Sequence, residues 1–94
     1  MKENSLQQFV KLVPFLGSML GPDYEIVLHD LAADPPSVIA IANQHVSGRN
    51  IGAPLTNHAM QLIADKAYKK QDWDLNYRGQ AENGKVLRCS TLFI

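Results

Sequence analysis

A chain of 94 residues with nine basic and nine acidic side chains, and a pI near 6.8, is one small domain without the basic face of a typical nucleic-acid binder. Its hydrophobic fraction of 46% is too high for disorder, yet no run nears the roughly 18 apolar residues of a membrane span. The one cysteine, Cys89, excludes a disulfide within the chain, and the start "MKENSLQQF" does not read as a signal peptide, so a soluble cytoplasmic domain is expected.

Leu6, Phe9, Val13, Leu16 and Leu20 recur at spacings of three and four, which predicts an amphipathic helix over about 5–20. Asn4 or Ser5 is its expected cap. Pro14 should kink or restart it, and Gly21-Pro22 should stop it. "DYEIVLHDL" predicts a strand, with Tyr24, Ile26 and Leu28 on one face and Glu25, Val27 and His29 on the other. After the turn-rich "AADPP", "SVIAIAN" predicts a second, well-buried strand, and its closeness in sequence favours antiparallel pairing with the first.

The stretch "HVSGRNIGAPLT" comes next. It leads into "TNHAMQLIADKAY", where Leu55, Ala59, Leu62, Ile63 and Lys66 fall on helical spacing with Thr56 or Asn57 as the cap. "KKQDWD" reads as a polar link. "LNYRGQAENGKVLRCSTLFI" then predicts two strands around Asn83-Gly84, a strong hairpin signal. Helix, two strands, helix, two strands is the order of an α+β fold with an antiparallel sheet.

The candidate chemistry thins out on inspection. "SGRNIG" lacks the spacing and the Lys-Ser of a phosphate-gripping loop, so its glycines read as turn residues. His29, His45 and His58 are scattered, and no metal-ligand spacing emerges. Cys89 lies mid-strand among Arg88, Ser90 and Thr91, where a packed thiol is expected rather than a nucleophile. Asp72 and Asp74 fall in the polar link, and no carboxylate pair is set up for acid–base work. No catalytic residue, metal site or cofactor is assigned, and an enzyme is not expected. What stands out is polarity within strands, at Asn43, Asn76, Arg78, Arg88, Ser90 and Thr91. Either these mark a half-solvated sheet, or they line a small pocket with convergent polar groups.

Three segments, "LGPDYEIVLHDL", "SVIAIANQHVSGRNIGAPLT" and "NYRGQAENGKVLRCSTLFI", together resemble the YheO-like PAS domain. That family forms the N-terminal sensor half of bacterial transcriptional regulators, and the resemblance runs from about Pro14 onward. It implies a PAS-like antiparallel sheet with helices packed on one face around a small cavity. It also implies a sensing role, with DNA bound by a separate C-terminal helix-turn-helix. This chain shows no helix-turn-helix and ends at "STLFI", before the strand that the family places last. Residues 1–94 are therefore expected to be a single PAS-like domain lacking that strand, its sheet and helices lying within 23–94, as a shortened piece or a short gene product.

On this reading "HVSGRNIGAPLT" crosses from the sheet to the covering helix, with Pro54 just inside that helix. Arg49 either bonds the loop's own carbonyls or faces the cavity and meets an anionic ligand. The expected ligand-binding residues are Arg49, Asn43, Arg78 and Ser90, with no ligand or cofactor identified. The expected function is a cytoplasmic, non-enzymatic sensor domain that binds a small molecule or partner and signals to a separate DNA-binding domain. A ligand-free dimerisation module is the alternative. A homodimer is expected, because the strands flanking the absent one, Tyr24 to Asp30 and Val86 to Ile94, would leave unpaired edges, and the first helix offers an apolar stripe. No membrane contact and no direct DNA binding are expected.

Overall fold

The structure is a computed structural model that describes residues 3–81 and 83–94, with side chains from residue 6 onward. The chain forms two compact units, Met1–Leu55 and Thr56–Ile94.

The first unit contains α1 (Glu3–Val10), α2 (Leu12–Leu20), β1 (Ile26–Asp30) and β2 (Ser37–Ala42). The helix expected over 5–20 is thus two helices, interrupted at Lys11. Pro14 has no N–H to offer the Val10 carbonyl and its ring crowds that oxygen, so the interruption falls on the turn before the proline. α1 already includes Asn4 and Ser5, so neither is its cap; their side chains lie outside the described residues. Gly21 ends α2 at φ 104, donating its N–H to the Gly17 carbonyl at 3.0 Å. That backbone conformation is open to glycine and strained for most other residues.

β1 and β2 pair antiparallel, Ile26 opposite Ala42 and Leu28 opposite Ala40. The register then shifts, so that His29 faces Val38 and Ile39 is the extra residue of a bulge, which breaks the strict alternation expected along β1. β1 begins two residues later than expected, because Tyr24 is held in the preceding turn by its N–H bond to the Gly21 carbonyl. Asp30 closes the other end, its Oδ1 accepting the Ala32 N–H at 2.9 Å. The Asp34–Pro35 bond in the connection is cis.

Both helices contribute to the apolar layer over this hairpin. Val13, Leu28 and Ala40 are buried together, and Leu6, Phe9, Val10, Ile26, Ile39 and Ala42 pack against them. Gly17 allows the close approach of α2: a Cβ there would lie 2.7 Å from the Cβ of Ala42, inside van der Waals contact.

The second unit contains α3 (Asn57–Ala64), a 3₁₀ turn at Ala67–Lys69, β3 (Trp73–Gln80) and β4 (Val86–Leu92). Thr56 is the cap of α3, its hydroxyl accepting the Ala59 N–H at 3.1 Å from an extended backbone. Pro54 therefore lies outside the helix, and it forms a β-bridge with Ser37 instead. The helical pattern expected to run through Tyr68 stops at Ala64, because Lys66 turns left-handed at φ 54. The predicted hairpin forms: Gly84 takes φ 87, and Asn83 Oδ1 accepts the Lys85 N–H at 2.9 Å. β3 starts at Trp73, so Asp74 belongs to the strand and not to the polar link. Among the described residues, three α-helices and four antiparallel strands, in two two-stranded sheets, make this an α+β fold, as the sequence predicts.

Candidate functional site

The stretch after β2 is an arch tied down at several points. Asn43 opens it in the left-handed conformation, φ 57, which asparagine tolerates better than most residues. That backbone turn sends its amide toward the end of α2. Asn43 Nδ2 donates to the carbonyls of Gly17 at 3.2 Å, Gly21 at 2.9 Å and Tyr24 at 2.7 Å. The Gly17 and Gly21 carbonyls also accept the N–H groups of Gly21 and Tyr24, so the amide reinforces the closed end of α2 and ties it to the turn into β1.

Further along, His45 Nε2 donates to the Pro22 carbonyl at 2.7 Å. Ser47 gives Glu25 two hydrogen bonds, from its N–H at 3.1 Å and its hydroxyl at 2.6 Å, and its oxygen accepts the Arg49 N–H at 3.2 Å. Gly52 N–H donates to the Val38 carbonyl at 2.8 Å, and Val38 N–H to that of Ala53 at 3.0 Å, so the arch lands along the free edge of β2. Arg49 Nη2 donates to the Pro54 carbonyl, the first of its two expected roles. The arch is therefore strapped to the sheet edge.

Asn43, Gln44, His45, Gly48, Arg49 and Asn50 line an open recess of about 460 Å³. Asn43 and Arg49, two of the four expected ligand contacts, meet there. Asn43 already has its amide N–H groups engaged, whereas the Arg49 guanidinium, with five donors, makes one hydrogen bond among the described residues, to Pro54. His29 of β1, which is not among the residues lining the recess, has a buried Nε2 with no hydrogen-bond partner among the described residues. Burial, and then the nearby Arg49 guanidinium, hold its pKa below the ordinary histidine value, so the ring is mainly neutral at pH 7. The Arg49 guanidinium suits a small polar or anionic group better than a cation.

Arg78 and Ser90, the other two expected contacts, lie in the second unit on the exposed side of the β3–β4 hairpin. Arg78 stands directly opposite Arg88. Ser90 supports the fold, because its Oγ accepts the Asn76 N–H at 3.0 Å, where β3 bulges and Asn76 takes φ 60. Sequence reasoning missed a chain of polar contacts on the opposite side. His58 Nε2 bonds Asp74 Oδ2 at 3.1 Å and stacks on Tyr77 with ring centroids 4.0 Å apart. The Tyr77 hydroxyl in turn bonds Thr91 Oγ1 at 2.7 Å. Burial raises the Tyr77 pKa, against the opposing pull of the Thr91 bond. Cys89 packs on this side too, its Sγ 2.7 Å from where a Cβ on Gly79 would lie. Among the described residues no cluster of three or more His, Cys, Asp or Glu side chains forms a metal site. None of their helices is long and apolar enough to cross a membrane.

Uncharacterized protein YheO of Escherichia coli (strain K12) is 32% identical over 89 residues, covering 95% of this chain and 37% of that protein. An uncharacterized protein of Haemophilus influenzae is 34% identical over 89 residues, covering 95% of this chain and 39% of its own length. The chain thus spans well under half the length of the curated relatives it matches. No solved structure matches it. The model of the YheO-like PAS domain matches residues 1–94, and the chain belongs to that family.

Proposed function

We propose that residues 1–94 act as one non-catalytic, cytoplasmic sensor domain of a bacterial transcriptional regulator. It binds a small molecule or partner and passes its state to a separate DNA-binding domain. The observation that carries this reading is the family match along all of 1–94, beside relatives more than twice as long. The arch supports it. A loop fastened mainly by hydrogen bonds to α2's end and β2's edge is an element whose packing a ligand can bias, and Arg49, which lines the recess, gives that ligand a polar contact.

This division of labour assigns DNA recognition to another region. The chain alone is expected to show no sequence-dependent DNA binding at near-physiological salt, since zero net charge gives little counterion release. Fluorescence anisotropy against the regulator's own promoter and a scrambled duplex checks this. Submicromolar preference for the promoter would contradict it.

A second reading, a ligand-free dimerisation module, draws on one observation. Leu12, Phe15 and Met19 follow helical spacing on α2, and all three are exposed, Phe15 by 57% and Met19 by 61%. A second copy would cover this stripe, which a monomer leaves in water. Light scattering over a range of concentrations is expected to give twice the mass of the 10.4 kDa chain, and Phe15→Glu to restore the monomer. A concentration-independent monomer in the parent chain would remove this surface from the account.

A further inference from the structure

The exposed side of the β3–β4 hairpin carries two like charges that face each other with no ion-pair partner among the described residues. β4 alternates strictly: Val86, Arg88, Ser90 and Leu92 are exposed, while Leu87, Cys89 and Thr91 are half-buried. Across the ladder, Gln80 faces Val86, Arg78 faces Arg88, and Trp73 faces Leu92. Directly opposed side chains have Cβ atoms about 4.5–5.5 Å apart, and like charges there destabilise the pair. Neither arginine has an ion-pair partner among the described residues. At one end Trp73 and Leu92 are 54% and 63% exposed, and Val86 is exposed at the other. A shallow recess of about 250 Å³ spans both arginines, lined by Asn76, Tyr77, Arg78, Val86, Leu87 and Arg88.

We propose that this face docks an acidic peptide segment of a partner protein. One carboxylate sits between the Arg78 and Arg88 guanidiniums, and an apolar side chain of the same segment covers Trp73 and Leu92. A carboxylate there accepts charge-assisted hydrogen bonds from two planar forks and cancels their repulsion. A second copy does not fit. The exposed positions of β3 and β4 carry no carboxylate, and a two-fold pairing of this face would bring four guanidiniums together. Nucleic acid does not fit either, since two arginines on a neutral chain give a phosphate backbone little to follow. The recess is too open to enclose a small free anion, whereas a peptide adds contacts along the ladder. Arg88 and Leu92 are four residues apart, about 13 Å along a strand, which sets the spacing between carboxylate and apolar side chain in the segment. This surface goes beyond the sensor reading and stands or falls separately from it.

Trp73 is the chain's one tryptophan, so its fluorescence reports occupancy of the face directly. The probe is an acetylated, amidated peptide with a glutamate four residues from a phenylalanine, compared with the same peptide carrying glutamine. The acidic peptide is expected to shift Trp73 emission saturably, and the glutamine peptide to bind at least tenfold more weakly. Arg78→Ala and Arg88→Ala should each weaken the acidic peptide at least tenfold, while Lys69→Ala should leave it unchanged. Arg88→Gln, with no peptide present, should raise the unfolding temperature by removing the like-charge pair. Equal binding of the two peptides, arginine variants that bind like the parent, or equal competition by inorganic phosphate would each overturn the proposal.

Discussion

Replacing Asn43 with alanine is expected to destabilise the first unit by about 2–4 kcal/mol, a large share of the roughly 5–15 kcal/mol typical of a folded domain. Two costs add. Alanine at φ 57 loses the conformational tolerance of asparagine, about 1–2 kcal/mol. Removing the amide also takes its donors from the carbonyls of Gly17, Gly21 and Tyr24, of which the first two keep the N–H groups of Gly21 and Tyr24, so this loss is about 1–2 kcal/mol. Asn43→Gly separates them, because glycine restores the backbone freedom and not the hydrogen bonds. Urea unfolding of the two variants should place glycine between alanine and the parent. An alanine variant as stable as the parent would show that the clamp on α2 does not form.

Leu28→Ala should cost about 2–5 kcal/mol, the range for deleting a buried leucine side chain. Leu28 is 9% exposed and lies in the cluster with Val13 and Ala40, beneath side chains from both helices. Its loss opens a cavity where α1, α2 and the hairpin meet. Leu92→Ala offers the contrast, since its side chain is mostly in solvent and a change within about 0.5 kcal/mol is expected. Equilibrium denaturation with a common slope resolves the two. Equal effects at both positions would mean that the core has been misplaced.

The elements that sequence alone makes legible are those set by local chemistry. Thr56 caps α3 because a hydroxyl at that position meets an unpaired N–H, and Asn83-Gly84 turns the hairpin because glycine accepts the backbone angle. The apolar strand "SVIAIAN" forms β2 almost to the residue. Long-range geometry is harder to read. Asn43 has the character of a pocket residue, yet its amide is engaged by carbonyls 19 to 26 positions away in sequence. The contact of His58 with both Asp74 and Tyr77 depends on the β3 bulge, which brings two residues three apart onto one side of the strand. Asn76, a left-handed-tolerant residue in mid-strand, is the available hint. Among the expected contacts, Arg49 bonds the Pro54 carbonyl, Arg78 stands opposite Arg88, and Ser90 holds the bulge.

The sensor reading is tested most directly by thermal unfolding of the whole chain against a panel of bacterial metabolites. At least one small anionic or polar compound is expected to raise the midpoint in a concentration-dependent, dialysis-reversible way. A ligand at 100 times its Kd adds about 2.7 kcal/mol, a shift well within detection for a chain of this size. Arg49→Ala should lose tenfold or more in affinity for that compound, since a hydrogen bond to a charged group contributes about 1.5–3 kcal/mol. No shift with any compound would contradict the sensor reading, and identical shifts in the parent and Arg49→Ala would remove the arch from the site.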